Sequence, residues 1–364
     1  MGYTILSVAY PLTPVGEDAV GGSEQILTLL DRALVQAGHE SIVIAAEGSS
    51  VRGTLIASPK ARGQIDERER RWARKVHTRL IEGALAANRI DMIHMHSLDF
   101  HEYVPRTTLP VLATLHLPPD WYPPSVFRSP HKNLYLNCVS GSQNRACPKS
   151  ARLLPPVPNG IDVARLNCRP GKRKYALALG RICPEKGFHF ALDAAKSVGC
   201  EMIVAGEIMP HAAHQQYFRQ EILPRLDSKR RFIGPVGFRR KRQLLGEAEC
   251  LLVPSTVHET SSLVAMEALA AGTPVIAFRS GALPEIVDDG RTGYLVSNAR
   301  EMARAMAKVA NIKSEDCVKS AWRNFSADQM VNRYMRVYAR LIAKSATEQV
   351  QARAAGGTSW LVNW

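Results

Sequence analysis

Paired cysteines are missing from this chain. The seven it has, at 138, 147, 168, 183, 200, 250 and 317, show no CxxC spacing and are odd in number, and several fall inside apolar runs that read as strands. That pattern argues against a disulfide framework or a zinc module and for reduced packing residues, as in a cytosolic protein. Long hydrophobic runs are missing too, since no uninterrupted apolar stretch reaches the roughly 20 residues a membrane-spanning helix needs. The opening "MGYTILSVAYPLTP" carries no charged segment ahead of an apolar one and reads as a first strand and turn, not a secretory leader. The expectation is a soluble, cytoplasmic protein. No GxSxG elbow is present to carry a Ser-His-Asp triad. Low-complexity segments are absent, as are a helix-turn-helix, a zinc module and an aromatic RNA platform.

Acids are in short supply: 33 Asp and Glu face 47 Lys and Arg, for a formal net charge of +14. The basic clusters are "RERRWARK" (68–75), "RLDSKRR" (225–231) and "FRRKR" (238–242). Interleaved acids let the first be the solvated face of a helix. Attraction to an anionic membrane face, to an anionic substrate or to nucleic acid are the alternatives, and charge alone does not choose among them. A non-catalytic, basic nucleic-acid-binding protein would need a recognition module, and none accompanies the charge.

The 364 residues suffice for two domains of ordinary size. Apolar runs in the first half lie at 3–9, 40–46, 91–97, 111–116 and 136–141, with helical patterns in the long gaps. The clearest helix is "GGSEQILTLLDRALVQAGH" (21–39), with Ser23 as its expected cap and Gly38 as its stop. The second half repeats the scheme with "YALALGR", "EMIVAG", "RFIG", "CLLVPS", "PVIAF" and "GYLV". Alternating strands and helices imply two parallel sheets with right-handed crossovers. The Pro-rich "LLPPVPNGID" (153–162) is the best linker between them. Two Rossmann-like domains bind ligand at the carboxyl edges of their sheets, facing a shared cleft.

The stretch "HETSSLVAMEALAAGTPVIAF" (258–278) holds Glu259 and Glu267 eight positions apart. At about 100° per residue they cannot share one helix face. Ser261 and Ser262 suit an N-cap and Gly272-Thr273-Pro274 a stop, so the helix should span about 262 to 271, with Glu259 in the loop before it. In a βαβ unit that helix N-terminus offers free N–H groups and a dipole to an anion, for which phosphate is the natural candidate. Earlier, "LGRICPEKG" (179–187) sets Arg181 and Lys186 in a Gly-bounded loop after a strand, two cations suited to a diphosphate. His94 and His96 alternate on a strand and share a face, but no convincing third and fourth metal ligand follows them.

Taken in order, "GGSE", "PNGID", "GRICPEKG", Glu259-x7-Glu267 and "AGTPVIA" resemble glycosyltransferase family 4, the retaining enzymes of the GT-B fold. The resemblance covers nearly the whole chain. It implies an acceptor-binding Rossmann-like domain over 1–160, a nucleotide-sugar-binding one over 161–327, and a C-terminal helix, about 328–364, crossing back to the first. It implies further that Arg181 and Lys186 grip the donor diphosphate, aided by backbone N–H groups of Ser262, Leu263 and Val264. Glu267 would meet the ribose, Glu259 the hydroxyls of the transferred sugar, and Gly22 would let the first domain approach the phosphate closely. His116, ending "ATLH", matches the family histidine facing the sugar. No metal or other cofactor is implied. The donor expected is a UDP-linked hexose, with GDP-mannose and UDP-N-acetylglucosamine as competitors, and the acceptor is a hydroxyl of a sugar, a lipid-linked or a small molecule. The chain departs from the commoner pattern at Thr260, Ser261 and Ser262, where many members have glycine and an aromatic. With no enzymic nucleophile beside the motifs, the chemistry resembles front-face substitution. A nucleotide-sugar epimerase or a sugar-phosphate synthase of the same fold is the alternative.

Overall fold

A computed structural model describes residues 2–19, 21–60, 66–150, 152–167, 171 and 175–356. Its contacts divide the chain into two units. The first runs to Cys138, resumes at Pro148–Val157 and again from Val331, while the second holds Val139–Cys147 and Pro158–Met330.

In the first unit, β1 (Thr4–Val8), α1 (Gly22–Gln36), β2 (Glu40–Ala46), β3 (Thr54–Ser58), α2 (Glu67–Ala87), β4 (Met92–Met95), β5 (Val111–Leu115) and β6 (Leu134–Cys138) follow one another. Their strands form one parallel sheet in the order β3-β2-β1-β4-β5-β6. The inner strands are near-continuous apolar runs because both faces of a parallel sheet are covered. On α1, Ile26, Leu27, Leu30 and Leu34 recur at helical spacing and are buried. Its N-cap is Gly21, not Ser23, whose hydroxyl instead donates to Glu24 Oε2 at 2.9 Å. Strand β3 leaves no apolar pattern in the sequence. It is a half-exposed edge strand, legible only through its pairing with β2.

The second unit comprises α3 (Gly141–Ala146), α4 (Val163–Leu166), β7 (Ala176–Leu179), α5 (Phe188–Ser197), β8 (Met202–Ala205), α6 (Ala212–Tyr217), β9 (Arg230–Phe232), α7 (Phe238–Glu247), β10 (Cys250–Val253), α8 (Leu263–Ala270), β11 (Val275–Phe278), α9 (Leu283–Ile286), β12 (Gly293–Val296), α10 (Ala299–Met306) and α11 (Ser314–Phe325). Its sheet, β12-β11-β10-β7-β8-β9, is again parallel and has the topology of the first sheet read in reverse. In each sheet the strand order turns about its first strand, between β1 and β4 and between β7 and β10. Ligands of open α/β sheets bind outside the carboxyl ends at such a switch point.

The stretch 153–162 passes from one unit to the other at Val157 and Pro158, but the chain has already visited the second unit at Val139–Cys147. Helix α3 is held there by Glu285 of α9, which accepts from the Gly141 N–H and from Arg145 Nη2, both at 3.0 Å. The last helix, α12 (Ala327–Gly356), crosses back as expected. Its Tyr334 and Tyr338 are completely buried in the first unit, against His94, Thr114 and Asn137. Cys138, Cys147, Cys183, Cys250 and Cys317 are buried and Cys200 is half-buried, with no disulfide among the described residues, while Cys168 lies outside them. Of the tail, residues 357–364 also lie outside them. No helix among the described residues is long and apolar enough to cross a membrane.

Candidate functional site

The two loops at the β7/β10 switch point are tied together. Thr256 N–H, after β10, donates to the Glu185 carbonyl, after β7, at 2.9 Å. Between them Gly187 has φ +61°, and a Cβ there would lie 2.2 Å from the Pro254 carbonyl oxygen. Only glycine allows that left-handed residue so close to a neighbouring backbone. The turn therefore delivers Lys186 to the second loop, where its Nζ lies 2.5 Å from Glu259 Oε1. Ser255 Oγ donates to the same oxygen at 2.5 Å. The Glu259 backbone is clamped from behind: its carbonyl accepts from Ala282 N–H at 2.7 Å, and Gly281, at φ +55°, leaves no room for a Cβ beside it. Arg181 stands exposed at the start of the β7 loop, and among the described residues its guanidinium has no hydrogen bond or ion pair.

Glu267 lies on α8, in the helix that begins at Leu263 after the cap residue Ser262. Its Oε1 lies 2.5 Å from Lys241 Nζ, a side chain only 15% exposed and supplied by α7. One carboxylate oxygen is thereby engaged, and a carboxylate accepts on two. At the open end of α8 the N–H groups of Leu263 and Val264 have no intrahelical acceptor. The side-chain oxygens of Ser261 and Ser262 are buried there without a hydrogen-bond partner. Ser262 is the N-cap by position, yet its hydroxyl makes no capping bond.

Gly22 and His116 belong to the first unit. Gly22 is the first residue of α1, and the buried carboxylate of Glu24, two positions on, accepts from Thr13 Oγ1 at 2.8 Å as well as from Ser23. His116 follows β5 and ends a buried row of side chains. His116 Nε2 is 3.4 Å from His96 Nδ1, His96 Nε2 is 3.1 Å from His94 Nδ1, and His94 Nδ1 is 2.7 Å from the Tyr338 hydroxyl. Thr114 Oγ1 sits 2.8 Å from His94 Nε2 and donates to Asn137 Oδ1 at 2.8 Å. Burial lowers the pKa of His116 to about 4, and burial together with the neighbouring imidazoles holds His94 and His96 well below their ordinary value. All three are neutral at pH 7. His94 and His96 do share a face, as their alternation requires, but their nitrogens meet hydroxyls and His116.

Three partners escaped the sequence. Ser255 is in sequence no more than the end of "CLLVPS", and Glu24 no more than the last residue of "GGSE". Lys241 was lost among five basic and aromatic residues, although Leu244 and Leu245 are buried and helical spacing puts position 241 on that inner face.

Comparison with known proteins adds the family. Residues 20–165 match the family described as Glycosyltransferase Family 4, and residues 173–311 match Glycosyl transferases group 1. A curated relative, the phosphatidyl-myo-inositol mannosyltransferase of Mycobacterium tuberculosis, is 29% identical in a 217-residue alignment that covers 53% of this chain and 56% of that protein. The match thus spans little more than half the length of that relative. AviGT4, a glycosyltransferase involved in avilamycin A biosynthesis, superposes with a TM-score of 0.70 at 23% identity, covering 93% of this chain and 98% of that one. HepE of Anabaena, solved with UDP-glucose, gives a TM-score of 0.69 at 16% identity over 95% of this chain and 99% of that one. Two six-stranded parallel sheets, the return of α12 and these matches together make this chain a member of glycosyltransferase family 4 with the GT-B fold.

Proposed function

We propose that the protein is a retaining hexosyltransferase, moving a hexose from a nucleoside diphosphate sugar, UDP-linked in first preference, to an acceptor hydroxyl. The observation that carries this reading is the convergence at the β7/β10 switch point of a lysine, an acid and a helix N-terminus with two unpartnered buried hydroxyls. Arg181 and Lys186 receive the diphosphate, and the N–H groups of Ser262, Leu263 and Val264 complete the cradle. Glu267, held on one oxygen by Lys241, accepts from the ribose hydroxyls with the other. Glu259, held by Ser255, accepts from the hexose hydroxyls once Lys186 turns to phosphate. The resemblance to the family assigns Gly22 and His116, both residues of the first unit, to the transferred sugar, and burial keeps His116 neutral. A neutral imidazole there can hydrogen-bond a hydroxyl without adding charge.

As the glycosidic bond breaks, negative charge grows on the departing phosphate oxygen, and that oxygen takes the proton of the incoming hydroxyl. Cations and N–H dipoles aimed at it stabilise the transition state more than the bound donor. Two side-chain cations also supply the charge that a divalent metal would bring to the diphosphate, so transfer should survive chelation. HepE was solved with UDP-glucose, which favours a UDP donor here, while the mannosyltransferase relative keeps a mannose donor in competition. Calorimetric titration with UDP, GDP and ADP, then with the sugar nucleotide of whichever binds, tests the assignment. Anomeric analysis of the product follows. Failure of every nucleoside diphosphate to bind sinks it.

A further inference from the structure

The loop that carries Arg181 and Lys186 also carries two groups with no part in holding the donor. Cys183 is buried just before the turn Pro184–Lys186, and Glu185 is half-buried within it. Helix α6 packs against that turn and brings His214 to the same place. One ligand atom from each of Cys183, Glu185 and His214 lies within 4.8 Å of the other two. His214 Nδ1 is buried and has no hydrogen-bond partner. The Cys183 thiol makes a long contact, 3.7 Å, to the carbonyl of Arg181 and meets the Glu185 carboxylate, so two of the three groups already touch. An unpaired buried imidazole nitrogen beside a thiol and a carboxylate is a costly arrangement unless something binds all three.

We propose that Cys183, Glu185 and His214 form a site for a zinc-class divalent cation that ties the β7 loop to α6. Thiolate, imidazole and carboxylate are the donors that zinc takes in tetrahedral sites with three protein ligands, water filling the fourth position. Bonds of about 2.0–2.3 Å separate tetrahedral ligand atoms by roughly 3.3–3.8 Å, so assembling the site asks for about 1 Å of side-chain rotation. On binding, the Cys183 S–H bond breaks, the proton goes to solvent and the sulfur lone pair goes to the metal, so two anions balance a doubly charged cation. His211, whose ring is 5.1 Å from that of His214, stands outside the set. The cation holds the loop from behind and is no ligand of the reacting diphosphate. The absence of CxxC spacing hides the site in the sequence, because the third ligand comes from a separate helix.

Titration of the full-length protein with Co2+ reads the site directly, since a cobalt–thiolate bond gives a near-ultraviolet charge-transfer band and tetrahedral geometry gives intense visible bands. One equivalent should bind, and Zn2+ should displace it. Cys183→Ser should lose the charge-transfer band, and His214→Ala should lose stoichiometric uptake. His211→Ala should keep both, with circular dichroism confirming that each variant is folded. His214 is half-exposed, so its variant serves if Cys183→Ser fails to fold. No cobalt–thiolate band in the parent protein, or a band unchanged in both the Cys183 and His214 variants, overturns the proposal and leaves a hydrogen-bonded cluster without a metal.

Discussion

Lys186 reaches from the loop after β7 to Glu259 in the loop after β10, its Nζ 2.5 Å from the carboxylate Oε1 across 73 positions of sequence. The ammonium is therefore already at the switch point before any donor arrives. In the proposed reaction it exchanges that carboxylate for the diphosphate oxygen on which charge grows. Lys186→Ala should accordingly cut turnover at saturating donor by about a hundredfold or more, the scale of losing one group that stabilises transition-state charge. Steady-state kinetics with donor varied decide the point. A raised KM with unchanged kcat would mean that Lys186 binds ground and transition states equally.

Glu267 should behave differently, because the ribose does not change charge during transfer. Glu267→Ala removes a charge-assisted hydrogen bond worth about 1.5–3 kcal/mol. Donor affinity should fall about ten- to hundredfold, on the rule that 1.4 kcal/mol is tenfold, with little change in saturated turnover. Calorimetry on the folded variant measures this. Unaltered donor affinity would make the acid structural and remove the centre of the donor-site assignment.

Lys241→Met should weaken donor binding without touching the donor, since it frees Glu267 to rotate and leaves a buried carboxylate unpaired. Lys241→Met combined with Glu267→Gln should be more stable than Lys241→Met alone, because no uncompensated charge remains. Urea unfolding of the two single variants and the double variant completes the cycle. Strict additivity would show the two side chains to be independent.

Acid should destabilise the first unit through its histidines. The pKa values of His77 and His116 are lowered from 6.5 to about 4, chiefly by burial, so the unfolded chain binds more protons between those two pH values. Stability is full above about pH 6.5 and falls as pH drops toward 4, by about 1.4 kcal/mol per pH unit for each histidine. His94 and His96 act in the same direction. Unfolding midpoints in urea at pH 7.5, 6 and 5 test this, and equal values across the series would mean that the row is not held neutral.

On α2, Arg68, Arg71, Lys75 and Arg79 are exposed and follow one another at three- and four-residue spacing, so they form a stripe, while Arg74 turns to Asp99 at 3.0 Å. If the stripe meets an anionic membrane face, each charge contributes about 1 kcal/mol, and changing all four to Gln should weaken binding roughly a thousandfold. Cosedimentation with phosphatidylglycerol vesicles should decline as salt rises, given screening over about 8 Å at physiological ionic strength. Absent or salt-insensitive binding leaves the stripe a solvated helix face.

What the sequence determined is what local pattern can carry. Period-2 and near-continuous apolar runs mark eleven of the strands, helical spacing marks α1, and a serine cap with a Gly-Thr-Pro stop marks α8. Glycine and proline mark the turns, and the order of short motifs marks the family. The exception, β3, is a half-exposed edge strand whose five residues bury too little to leave a pattern. Tertiary structure decided the pairings. Lys186 meets Glu259 because the strand order turns between β7 and β10 and sets two distant loops side by side. Lys241, not either cation of the "GRICPEKG" loop, holds Glu267, because α7 presents one of its basic residues inward with Leu244 and Leu245. His94 and His96 share a face by alternation on β4, but their contacts to His116, after β5, and to Tyr338, on α12, come only with the tertiary fold. Such contacts join residues that share no local period, and a ligand set or an ion pair built across them has no signature until the chain has folded.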